Sequence, residues 1–223
     1  MRASLARLDV DYVDVVVAHR PNPLTPMEEV VRAFTQIVNE GKALYWGTSE
    51  WTAYDVERAH HLAAVHHLIP PVCDQPQYNL FCRERVEKEL APIFRTYGSG
   101  LTIWPPLEQG MLTGKYNEGI PEGSRFTGAS LAAEDKQSAI DTGKQLATPE
   151  GQTKIKKVKA LTAVALAWCL CNPNVSTVIT GSSRPQQVTE NMKAVDIYRQ
   201  IKDDTNVLRR IDEIFENKPA SIG

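Results

Sequence analysis

His19 closes the apolar run Tyr12 to Ala18 (YVDVVVA), and Arg20-Pro21 and a helix-start signal follow within a few residues. An imidazole so placed can give or take a proton near neutral pH, or its nitrogens can simply be satisfied by nearby backbone. In parallel α/β architectures the carboxyl ends of strands are where ligands bind and react, which favours chemistry. Further candidates follow later apolar runs: Ser49-Glu50, Gln75 to Asn79, Trp104 to Gln109, and Gly181 to Arg184. Such a mixture of polar, amide and aromatic groups lines small-molecule pockets. Gly181-Ser182-Ser183-Arg184-Pro185 joins a strand to a helix start, with Ser183 and Gln186 at capping-box spacing. Free backbone N–H groups there are expected to favour an anion, and Arg184 adds a bidentate phosphate donor. An ordinary capped helix with a surface arginine is the alternative.

Several functions are disfavoured. With 25 basic and 27 acidic residues the net charge is −2, which argues against a nucleic-acid surface. Lys154, Lys156, Lys157 and Lys159 read as the solvated face of a helix. His60, His61, His66 and His67 tempt a metal reading, but no Asp, Glu or Cys accompanies them at ligand spacing, so no metal is expected. Cys73, Cys82, Cys169 and Cys171 match neither a zinc site nor a disulfide scaffold, and packing is their expected role. No apolar run approaches the roughly twenty residues of a membrane span. Without a secretory pattern at the N-terminus, the cytoplasm is the expected compartment. Walker and dinucleotide-fold glycine fingerprints are missing, as is a nucleophile–base pair.

The elements that position these residues alternate. Thr25-Pro26-Met27-Glu28 reads as an N-cap, a first-turn proline and a capping-box acid, with Met27, Val30, Val31, Phe34, Ile37 and Val38 at helical spacing and Gly41 as the stop. Strands are expected at 43–48, 72–75, near 100–104 and at 177–180, and helices at 52–66, 83–96, 154–170, 185–194 and 205–216. Pro105 to about Gly151 reads as a long irregular segment. Five strands separated by helices imply a parallel sheet within one domain over 1–223. An open doubly wound sheet needs no further strands, whereas a closed (β/α)8 barrel takes eight.

The segments YVDVVVAHRPNPLTPMEE, ALYWGTSEW, PVCDQPQYN, IWPPLEQGMLTGKY, ALAWCLCNPNVSTVITGSSRPQQVTEN and ENKP together resemble the aldo-keto reductases, in family order and over essentially the whole chain. The likeness is to the branch of the voltage-gated potassium channel β-subunits and their fungal and bacterial relatives. It implies a (β/α)8 TIM barrel that binds NADPH across its carboxyl rim and reduces aldehydes and ketones by direct hydride transfer. In that family a tyrosine is the general acid, tuned by a lysine and an aspartate, and a histidine orients the carbonyl. Only His19 has a counterpart here.

By the same resemblance Ser49, Glu50 and Gln75 face the nicotinamide, with Ser49 and Gln75 bonding its carboxamide. Trp104, Pro105, Leu107, Glu108 and Gln109 follow the pyrophosphate, along with Lys115 and Arg125. Gly181, Ser183, Gln187, Glu190 and Asn191 match the adenosine-phosphate end, where Arg184 favours the 2′-phosphate. The likeness also implies that the first three βα units are missing, with the Asp, Tyr and Lys, so that the barrel is incomplete and this chain alone inactive. Three roles are then open: a carbonyl reductase by descent, a channel auxiliary subunit that senses redox state through NADPH, or a non-functional fragment prone to oligomerise through its open edges. A homo-oligomer such as a tetramer, or a channel's cytoplasmic domain, is the partner implied.

Overall fold

A computed structural model describes residues 1–128, 133–158 and 162–220. The strands are β1 (Val13–Ala18), β2 (Ala43–Thr48), β3 (Cys73–Asp74), β4 (Gly100–Ile103) and β5 (Val175–Val178). Among the described residues they form one five-stranded sheet in the order β1-β2-β3-β4-β5, every neighbouring pair parallel. The helices are α1 (Arg2–Leu8), α2 (Met27–Asn39), α3 (Ala53–Val65), α4 (Ala91–Tyr97), α5 (Ala133–Leu146), α6 (Pro149–Lys156), α7 (Thr162–Leu170), α8 (Pro185–Ile201) and α9 (Thr205–Phe215).

Strand order decides between the two architectures. A doubly wound sheet reverses direction at a switch point and carries helices on both faces. Here the order never reverses, and the large buried side chains lie on one face. Trp46 of β2 stacks on Phe34 of α2 with ring centroids 5.0 Å apart. Leu101 and Ile103 of β4 are fully buried in the same core as Trp168 of α7. The opposite face holds Val15 and Tyr45, which are register partners and are 40% and 53% exposed. Helices outside and a separate inner face are the plan of a (β/α)8 wall, of which five strands are present.

Several elements depart from what the pattern predicts. α2 starts one residue late, with Pro26 as N-cap and no side-chain cap from Thr25. The reason lies upstream: Asn22 accepts the N–H of Leu24 on its side chain and that of Thr25 on its carbonyl, which holds Thr25 in a turn. The helix predicted at 83–96 is a π turn, Arg85–Glu89, followed by α4, because Pro92 near the start of α4 has no N–H to continue the ladder. The irregular segment contains α5 and the start of α6. Gly143 disguises α5 as a loop, yet a Cβ there would lie 3.0 Å from both the Phe126 carbonyl oxygen and its Cβ, so this glycine serves close packing.

The helix predicted at 154–170 divides into α6 and α7, with Val158 buried in the core after α6 ends. Lys154 and Lys156 are solvated as expected. Lys157 instead reaches the Phe215 carbonyl at 3.2 Å and the Glu216 carboxylate at 3.0 Å, and Lys159 lies outside the described residues. β5 sits two residues earlier than predicted and β3 is shorter. The four thiols are all free, with Cys169 fully buried. No described helix is long and apolar enough to cross a membrane.

Candidate functional site

Because all five strands run the same way, His19, Ser49, Gln75, Trp104 and Gly181 emerge on one edge of the sheet. Local structure fixes the first of these turns. Trp51, 1% exposed, donates its indole N–H to the Ala18 carbonyl at 3.1 Å, which ties the end of β1 to the turn after β2. His19 follows Ala18 directly and is exposed. Arg20 Nη1 donates to the His19 carbonyl at 2.6 Å and to Ser49 Oγ and O at 2.8 and 3.1 Å. Ser49 Oγ donates in turn to the Gln75 carbonyl at 2.9 Å. Three consecutive strand ends are thereby linked.

Gln75 extends the seam through its N–H, which donates to the Thr48 carbonyl at 2.9 Å, while its side-chain amide meets, among the described residues, only Thr102 Oγ1, at 3.5 Å. Beneath it on the helix side lies Asp74, 4% exposed, whose Oδ1 accepts the Thr48 hydroxyl at 2.6 Å. Burial raises its pKa to about 6, against the pull of that hydrogen bond.

Glu50 begins a second network. Its carboxylate accepts the Gln77 N–H in a short hydrogen bond, the Trp104 indole N–H at 3.2 Å and Arg85 Nη1 at 3.1 Å; the same guanidinium nitrogen also holds the Glu50 carbonyl at 2.9 Å. Gln77 and Asn79 donate side-chain amides to Glu108 at 2.9 and 2.5 Å, and Asn79 also donates to the Pro105 carbonyl at 3.1 Å. Leu107 packs against the main core. Among the described residues six other than glycine have positive φ, and Glu50, Glu108 and Gln109 are three of them. Left-handed backbone outside glycine is sparse and collects at functional sites.

Gly110, φ +97, completes the turn after β4, and a Cβ there would meet Lys115 Cε and Nζ at 2.7 Å. Lys115 Nζ lies 4.7 Å from the Tyr116 ring centroid, and Tyr116 packs on Phe126 at 4.7 Å. Lys115 thus lies against this aromatic pair, and the exposed Arg125 directly precedes Phe126 in the chain. At the far end, the Ile179 N–H bonds the Ile103 carbonyl at 3.0 Å, which places the β5 exit beside that of β4.

The α8 start is corrected in detail. Arg184 is the N-cap, one residue after Ser183, and Gln187 rather than Gln186 closes the box. Gln187 Oε1 accepts the N–H groups of Ser183 and Arg184 at 2.8 and 3.2 Å, so those two amides are engaged and not free for an anion. Asn191 Nδ2 reaches Ser182 Oγ at 3.3 Å, and Glu190 and Gly181 are exposed. The Ser49 hydroxyl gives its one proton to the Gln75 carbonyl and accepts from Arg20, so toward a ligand it has an acceptor lone pair to offer and no donor.

Sequence reasoning gave no role to Arg20, Arg85 or Asp74. Adjacency to His19 and Gln75 was the available signal for Arg20 and Asp74, whereas Arg85 reaches Glu50 across 35 positions and carries none. Neither Tyr45 nor Tyr78 is placed to give a proton at the rim. Tyr45 lies three residues before the end of β2, roughly 10 Å below the rim at the usual rise per residue. Tyr78 is 2% exposed and bonds Glu87 at 2.9 Å, and burial raises its pKa well above the ordinary phenol value. Among the described residues no group of three or more His, Cys, Asp or Glu is arranged to hold a metal.

Comparison with known proteins agrees with this architecture. A protein of Schizosaccharomyces pombe named as a voltage-gated potassium channel β subunit is 49% identical, covering all of this chain and 64% of its own length. Proteins of Oryza sativa subsp. japonica and Arabidopsis thaliana with the same kind of name are each 43% identical over 98% of this chain and 66% of theirs. The chain thus spans just under two thirds of the length of these relatives. The sequence model of the aldo/keto reductase family matches residues 1–215, and with the single-wound parallel sheet this makes the chain a member of the aldo/keto reductase family.

Proposed function

We propose that this chain forms the carboxyl rim of an NADPH-dependent carbonyl reductase and binds both nucleotide and carbonyl compound there. One observation carries the reading: hydrogen bonds join the ends of β1, β2 and β3 through Arg20 and Ser49, and those of β2, β3 and β4 through Glu50 and Gln77. A connected, strained edge of this kind holds its polar groups before a ligand arrives, which lowers the entropy cost of binding.

The residues present fit the nucleotide. The Gln75 amide, with one contact of 3.5 Å, is free to exchange it for a carboxamide. Lys115 over Gly110 offers a cation beside a turn that only a residue without Cβ can make, suited to a pyrophosphate. Arg184, exposed at the helix start, suits a 2′-phosphate. When bound, the nucleotide supplies the hydride. His19 orients the carbonyl, and Trp104, held by Glu50, walls the site.

Among the described residues no group takes the place of the phenolic proton donor, so the chain by itself is expected to bind without turnover. Tryptophan fluorescence should show saturable quenching by NADPH, stronger than by NADH, while 4-nitrobenzaldehyde is not reduced. Lack of saturable NADPH quenching would overturn the nucleotide reading, and robust reduction would overturn the claim of inactivity. The names of the relatives favour a second use of the same rim, as a redox-sensing auxiliary subunit on a channel's cytoplasmic domain. Co-purification with such a domain, and its modulation by NADPH, tests that. Four free thiols suit the cytoplasm that either use implies.

A further inference from the structure

Arg20 is anchored at one corner only. Its Nη1 serves three acceptors, the His19 carbonyl and both oxygens of Ser49, at 2.6 to 3.1 Å. The anchor is rigid, since Ser49 is 2% exposed and bonded onward to the Gln75 carbonyl. A guanidinium presents five N–H donors in one plane. The Nε and Nη2 edge of Arg20 has no acceptor and no carboxylate partner among the described residues, although the side chain is exposed at the rim. The rim carboxylates of Glu50 and Glu108 are committed to Arg85, Gln77, Asn79 and Trp104. A fixed, uncompensated cation thus stands beside the imidazole that meets the carbonyl. The cations assigned to nucleotide phosphates, Lys115 and Arg184, follow β4 and β5, away from β1.

We infer that Arg20 selects carbonyl substrates bearing a carboxylate or similar anion, held on its open guanidinium edge while His19 meets the carbonyl oxygen. This rests on the reductase reading of the rim and names its substrate class. Bidentate pairing with a carboxylate uses two parallel N–H donors, which Nε and Nη2 supply.

The test compares 4-carboxybenzaldehyde with its neutral isostere 4-nitrobenzaldehyde by calorimetry at low salt, on the 223-residue chain with and without NADP+. The wild-type chain should bind the carboxylate roughly tenfold more tightly, since a charge-assisted pair replaces a neutral contact. R20Q should abolish the preference between the two aldehydes, whatever NADP+ affinity it costs through the lost Ser49 contacts. R20K, which keeps the charge but not the fork, should retain a smaller preference, and it also serves if R20Q fails to fold. Equal affinity for the two aldehydes in the wild-type chain, or a preference that survives R20Q, overturns the inference. If R20Q instead weakens NADP+ alone, Arg20 serves the nucleotide and the inference again fails. Lack of NADP+ binding by the wild-type chain sinks the nucleotide reading separately, because the aldehyde comparison is also made without nucleotide.

Discussion

Asp74 Oδ1 accepts the Thr48 hydroxyl at 2.6 Å across the β2–β3 seam, while its Oδ2 is buried with no hydrogen-bond partner among the described residues. The second oxygen explains why burial outweighs the bond and lifts the pKa to about 6. An unfolded aspartate titrates near 3.8, so between about pH 4 and 6 the folded chain binds more protons than the unfolded one. Stability is therefore expected to fall as pH rises through that window, and above it the cost is about 3 kcal/mol, at 1.36 kcal/mol per pKa unit. His60 opposes this. Burial lowers its pKa, so its neutral form favours folding and stability drops on acidification below about 6.5. The raw pH curve mixes the two, and D74N isolates one. Urea melts should show D74N more stable than wild type by roughly 1–2 kcal/mol at pH 7.5, once an altered hydrogen bond is allowed for, and equal or weaker at pH 4.

Arg83 is expected to be the costliest polar residue to truncate. Its side chain is 4% exposed, donates to both Glu87 oxygens at 2.8 and 2.9 Å and to Asp212 at 2.8 Å, and lies 5.0 Å from the Trp168 ring centroid. It joins the π turn before α4 to α7 and α9 beside a cavity of about 320 Å³. R83A removes the cation from Glu87 and Asp212, of which Asp212 keeps Lys218 at 2.8 Å, and should cost about 3 kcal/mol, the low end for a broken buried pair. R83M combined with E87Q and D212N removes the charges together and should recover much of that in urea denaturation.

The alternation of strands and helices and the strand-end positions of the rim were legible because apolar runs and helix starts are local signals. The sheet order that separates a barrel wall from a doubly wound sheet was implied only by the family resemblance. Breaks inside helices were not legible. Pro92 acts on a ladder whose π turn depends on the Leu90 N–H reaching the Arg85 carbonyl, and Gly143 looks like a stop until Phe126 is seen against it. The same limit applies to the rim. His19 and Gln75 stand out at strand ends, but that Ser49 spends its proton on Gln75 and that Gln187 occupies the Ser183 and Arg184 amides are facts of side-chain direction. Spacing carries no information on which of two polar neighbours will take a donor.

Nucleotide discrimination should divide between two cations. Arg184 stands exposed at the start of α8, and Lys115 beside the Gly110 turn. R184Q is expected to lower NADPH affinity roughly tenfold while leaving NADH affinity within about twofold, since only the former carries the extra phosphate. K115Q should weaken both dinucleotides alike and reduce the salt dependence of binding. Fluorescence titrations at two ionic strengths separate the outcomes, and equal losses for R184Q on both nucleotides would remove the 2′-phosphate assignment.

Val15 and Tyr45 face each other on the inner side of the sheet, and Tyr12, just before β1, is 51% exposed. Apolar surface of this kind, next to the open β1 edge, is expected to bind anilinonaphthalene sulfonate and to drive self-association, because both contacts remove it from water. Replacing Val15 and Tyr45 with threonine keeps β propensity while lowering the apolar area, so the fold should persist. Dye fluorescence should fall several-fold, and the weight-average mass in sedimentation should move toward 24.8 kDa. A wild-type chain that sediments as a monomer and binds no dye would show that this face is covered in solution, and the inner wall would then need an occupant from within the chain.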